Sequence, residues 1–118
     1  MKTGNFLLIL MLLLGSSFWA KTNAQCFTVN NNSINCSFAV ELYDGVVLVA
    51  STTMTPSTTW TPTITNCNVT DVIVRNVGTW GGPDAQVNSS NTIDAAGNCQ
   101  WQGLSTVEWV SASQADIE

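Results

Sequence analysis

An all-β fold is predicted for this chain: an antiparallel β-sandwich of about seven short strands, immunoglobulin-like or a related Greek key. Three observations predict it. Short runs rich in Val, Ile, Thr, Tyr, Phe and Trp alternate with turn signals about every ten residues, as in sandwiches and unlike strand–helix–strand units. Charged residues make up only 9% of the chain, so Ser, Thr and Asn must form the surface, a composition that favours strands and turns. Finally, Asp44-Gly45 separates two β-branched and aromatic runs in Cys36 to Ser51 (CSFAVELYDGVVLVAS), a strong hairpin signal.

Met1 to Ala24 reads as a secretory leader. Lys2 gives a positive start, Phe6 to Leu14 is a continuous apolar run, and Thr22-Asn23-Ala24 offers small residues at the cut. The run is far shorter than the ~20 residues that span a bilayer. Gln25 before Cys26 argues against lipidation at that cysteine. Residues 25–118 are then one domain, secreted to the cell surface, the medium or the periplasm, with no membrane insertion. Lys2 and Lys21 leave with the leader. Arg75 alone then faces eight carboxylates, a formal charge of −7. Nucleic acids and anionic lipids are poor partners for such a chain.

Cys26 to Asn30 opens the domain as a short strand, and Asn30-Asn31-Asn32-Ser33 is a turn. In the hairpin that follows, a two-residue type I′ turn at Asp44-Gly45 would pair Tyr43 with Val46, Leu42 with Val47 and Val40 with Val49. Phe38, Val40, Leu42, Val47 and Val49 would share the buried face. Thr59 to Thr65 (TWTPTIT) alternates strictly, threonines on one side, Trp60, Pro62 and Ile64 on the other, with Pro62 placing it at a sheet edge. Cys67 to Val77 is the next strand, Val72 and Val74 on one face, Asp71, Ile73 and Arg75 on the other. Gly78 to Asp84 is a loop, Gln86 to Ile93 a weaker strand and Asp94 to Asn98 a turn. Gln100 to Leu104 and Thr106 to Ser111 close the domain.

All four cysteines, Cys26, Cys36, Cys67 and Cys99, survive cleavage and are expected as two disulfides. There are three ways to pair them. If Val29 pairs with Ser33, Cys26 falls opposite Cys36, which leaves Cys67 for Cys99. Zinc is disfavoured because there is no histidine and no Cys-x-x-Cys.

Ala24-Gln25-Cys26, Phe27-Thr28-Val29-Asn30 and Tyr43-Asp44 carry a resemblance to small secreted, disulfide-containing β-proteins of Gram-negative bacteria. In these a signal ending in Ala is followed by Gln-Cys. The group has no assigned activity, so the resemblance implies a fold and a compartment but no chemistry.

Catalysis finds few residues to carry it. Hydrolytic triads need a base near neutral pH, and histidine is absent. Bridged cysteines supply no thiolate. Paired-carboxylate hydrolysis is the least favoured reading, because Glu41, Asp44, Asp71, Asp84, Asp94 and Glu108 are scattered singly. No metal or cofactor is expected. The Asn30 to Ser33 and Asp94 to Asn98 segments lack the carboxylate density of a calcium loop, and one Thr-x-Thr row is too little for an ice-binding face.

Tryptophan is the exception. Trp109 and Trp60 read as core. Trp80 lies in the loop Gly78-Thr79-Trp80-Gly81-Gly82-Pro83-Asp84, with little apolar material to cover an indole, and an open ring stacks on sugars or on apolar partner surfaces. Trp80, Asp84 at the end of that loop, and Trp101 between two glutamines are the candidate binding residues. A non-catalytic module for a glycan or a partner protein is therefore expected. The alternative is a structural extracellular or matrix subunit that assembles through edge strands.

Overall fold

Alternation decides which side of each strand is buried. The computed structural model describes residues 23–77, 82–99 and 103–118. Its strands are β1 (Asn23–Ala24), β2 (Thr28–Asn31), β3 (Phe38–Asp44), β4 (Val47–Met54), β5 (Thr58–Trp60) and β6 (Ile64–Thr65). They continue with β7 (Asp71–Asn76), β8 (Ala85–Asn88), β9 (Ile93–Cys99), β10 (Gly103–Ser111) and β11 (Gln114–Ile117). No described residue is helical. Inward positions follow the period of two: Phe38, Val40 and Leu42 on β3, Val72 and Val74 on β7, Ala85 and Val87 on β8, and Val107 and Trp109 on β10 are all buried.

The strands form three sheets: a pair β1-β6, a five-stranded sheet β5-β2-β11-β10-β9 and a four-stranded sheet β4-β3-β7-β8. The buried apolar side chains of the two larger sheets belong to one cluster. Phe27 and Trp109 pack within it, ring centres 5.5 Å apart, and the half-buried Trp60 rests against it. The all-β expectation holds. The arrangement is more divided than a single seven-strand sandwich, and β2 and β11 run parallel, Val29 beside Ala115.

The hairpin stands one position further along at its tip. Asp44 pairs with Val47, leaving Gly45-Val46 as the loop. Only Gly45 has positive φ (62°), which fits the type II′ rather than the type I′ pattern. Segment 68–70 braces this tip: the Gly45 amide donates to Thr70 Oγ1 at 2.7 Å, and Asn68 Nδ2 donates to Asp44 at 2.8 Å. A bulge then slips β4 once more, so Leu42 faces Ala50, Val40 faces Thr52 and Phe38 faces Met54. Val47 is thereby expelled from the predicted core and is 61% exposed, and Val49 is only half-buried.

The cysteine pairing is also corrected. Cys26 joins Cys67 and Cys36 joins Cys99, with Cα separations of 5.8 and 5.7 Å. The expected Cys26–Cys36 bridge needed a local hairpin through Asn30 to Asn32. Instead β2 pairs with β11 and β5, and β3 with β4 and β7, so the two cysteines enter different sheets. Asn31, the buried end of β2, occupies the expected turn. Its Nδ2 donates to the carbonyls of Cys36 (2.9 Å) and Thr55 (3.0 Å), while its Oδ1 accepts from the Ser33 amide (3.1 Å).

Two further expectations change. Thr59 to Thr65 is not one strand: β5 ends at Trp60 and β6 begins at Ile64, with Pro62 between them. Asp94 to Asn98 is not a turn but part of β9, where Gly97, at φ 82°, sits in a bulge opposite β10. Asn23 and Ala24, counted with the leader in the sequence, pair here with Thr65 and Ile64.

Candidate functional site

Of the three predicted binding residues, Asp84 is described; Trp80 and Trp101 lie outside the described residues. Asp84 is exposed and accepts from Arg75 Nε at 2.8 Å. Arg75 projects from β7 on the outer face of the four-stranded sheet, flanked by Ala39 on β3. Its Nη1 contacts Glu41, two positions further along β3. Glu41 also accepts from the Tyr43 hydroxyl at 3.2 Å. A chain of polar groups thus runs Tyr43, Glu41, Arg75, Asp84. The two carboxylates, Asp84 first and Glu41 second, hold the guanidinium more firmly protonated than an ordinary arginine.

Asp71 shares the outer face of β7 with Ile73 and Arg75, as the alternation predicts, but its hydrogen bonds go elsewhere. It accepts from Thr70 and Asn88, both at 2.8 Å. Burial works to raise its carboxyl. Hydrogen bonds from Asn88, Thr70 and Gln86 outweigh this and hold it below its ordinary value. A group tuned that way stays ionised, whereas a general acid needs the opposite shift.

Cross-strand neighbours set the relief of this face. Ala39 lies between Thr53 and Arg75, and Ser51 lies opposite Glu41. The small Ala39 side chain leaves an open depression of about 300 Å³ whose rim carries Glu41, Ser51, Thr53 and Arg75. A second depression of about 220 Å³ lies around the end of β4 and β5, lined by Thr52, Thr53, Met54, Thr55, Thr58, Thr59 and Trp60. Both hollows meet at Thr52 and Thr53. Their rims offer hydroxyl donors and acceptors, one fixed guanidinium and one partly covered indole. That array can hold a polar, uncharged ligand by hydrogen bonds and stacking.

Arg75, Ser51 and Thr53 were not singled out in the sequence as binding residues. The one signal for Arg75 is that it is the last cation left after Lys21. Nothing along the chain brings Ser51 to Glu41; only strand register does. Among the described residues no cluster of three metal-ligating side chains occurs, and no helix is long and apolar enough to cross a membrane. Comparisons with protein-family models, with curated proteins and with solved structures find no match to this chain. The class is defined by its own geometry: a disulfide-linked, all-β domain with a shallow polar face.

Proposed function

We propose that this protein is a secreted, non-catalytic recognition domain whose four-stranded sheet binds a neutral glycan on its outer face. The depression beside Arg75 carries this reading. A sugar presents vicinal hydroxyls, and the rim sets Ser51 and Thr53 hydroxyls opposite a guanidinium whose position two carboxylates fix. The ordering of Arg75 before any ligand arrives reduces what binding costs. Secretion is supported by two disulfides, which persist in oxidising compartments. Trp80 stands four residues before Asp84 in the sequence and is the natural stacking partner for the same ligand.

Titration of the purified domain against a panel of neutral oligosaccharides tests the proposal. Arg75→Ala and Trp80→Ala, each still folded by near-ultraviolet dichroism, should each weaken the best ligand at least tenfold. Retention of full affinity by both variants would overturn the site. A structural subunit remains the second reading, favoured by β4, which among the described strands pairs with β3 alone.

A further inference from the structure

We infer that β4 is a homodimerisation edge, where the stretch Ala50–Met54 pairs antiparallel with the same stretch of a second copy about a twofold axis at Thr52. Sheet edges in monomeric proteins are kept short, charged, interrupted by proline or covered. The other edges here follow that rule. β5 has three residues. β8 has four, and β9 carries Asp94 and the Gly97 bulge. β4 has eight residues, VLVASTTM, with no charge and no proline, and β3 is the only described strand paired with it. Its bulge lies on the Val49 side, so Ala50 to Met54 stay in regular register with β3.

Charge selects the occupant. All eight carboxylates of the chain lie outside β4, and copies carrying that charge repel one another wherever carboxylates approach. Pairing β4 with itself brings no carboxylate of one copy's strand opposite that of the other. With Thr52 on the axis, Ala50 faces Met54 of the partner strand and Ser51 faces Thr53. All of these are small or apolar, and each residue meets one from the same sheet face. The result is a continuous eight-stranded sheet. Exposed Val47 and Leu48, beyond the bulge, lie close to the seam.

This pairing also acts on the proposed glycan face. Strands in a sheet lie about 4.8 Å apart, so the Ser51–Thr53 rims of the two copies become neighbours across the seam. The two Arg75-centred depressions then open on one side of a single sheet, and a polymeric ligand gains avidity from both. The dimer itself does not depend on the glycan reading, which failure of the oligosaccharide titration would remove by itself.

Sedimentation equilibrium of the mature protein from about 1 µM to 1 mM, with hydrogen exchange at both ends of that range, is the test. The expected result is a rise to twice the monomer mass, with amide protection increasing in residues 50–54. Ser51→Glu/Thr53→Glu, whose side chains point outward, should keep its melting temperature at 1 µM and lose dimerisation at least tenfold. A parent that stays monomeric at 1 mM overturns the inference. So does growth into open-ended filaments, or new protection confined to β5, β8 or β9.

Discussion

Gly82 and Gly97 touch backbone to backbone: a Cβ placed on Gly82 would meet the Gly97 Cα at 2.4 Å. Gly82 also has φ 126°, a conformation that side chains resist. Gly82 is therefore seated on the β9 bulge, and Asp84 follows two residues later to meet Arg75. Glycine at 82 serves close approach, and glycine at 97 serves the bulge.

Gly82→Ala should destabilise the protein by about 2 to 4 kcal/mol, since both the φ and the backbone contact oppose it. Urea unfolding measures this. Gly45→Ala is the control: the space around Gly45 is open, leaving only a φ penalty of about 1 to 2 kcal/mol. Equal losses at the two sites would mean that the Gly82–Gly97 contact contributes nothing.

Non-reducing peptide mapping should recover Cys26–Cys67 and Cys36–Cys99. The second bridge ties the entry to β3, in the four-stranded sheet, to the end of β9, in the five-stranded sheet. The bridges span 41 and 63 residues of sequence. In the loop-entropy picture each is worth about 4 kcal/mol, so Cys36→Ala/Cys99→Ala should remove a large part of a total of about 5 to 15 kcal/mol.

Asn31→Leu keeps the size of a side chain that is completely buried and removes its amide. The Ser33 amide loses its acceptor, while the Cys36 and Thr55 carbonyls each lose one of two donors and keep Ser33 Oγ and Thr58 Oγ1. A buried amide stranded in this way costs about 1 to 3 kcal/mol, so a loss of about that size is expected in denaturant melts. A neutral Asn31→Leu would show that these groups are satisfied some other way.

Asp71 predicts an acid-sensitive component of stability. A carboxyl held below its ordinary value of 3.8 stabilises the fold fully above that pH, and the contribution fades as pH falls through the lower folded value. Asp71→Asn should therefore melt below the parent by a few degrees at pH 7, and the gap should close towards pH 2. A gap that is constant with pH would assign the effect to lost packing. Because Asp71 lies near the surface, the effect is expected to be small and to shrink in salt.

The sequence by itself determined the all-β class and the burial of alternate positions in Phe38–Leu42 and Val72–Val74. It also determined the core placement of Trp109 and the use of all four cysteines in bridges. These follow from local facts, the period of two and residue chemistry. Only the tertiary structure decided the partners. Asp44-Gly45 announced a hairpin, but the brace from Asn68 and Thr70, distant in sequence, accompanies a tip one residue later, and a bulge shifted β4 again. Gly97 was legible as a glycine with a backbone task, yet turn and bulge demand the same freedom, and β10 selected the bulge. Asn31 looked like a turn residue because its amide mimics the backbone, and it does so here across three segments. The candidate site was the least legible part. Asp84, Arg75, Glu41 and Ser51 lie on four separate segments, and antiparallel registers that no local pattern encodes bring them together.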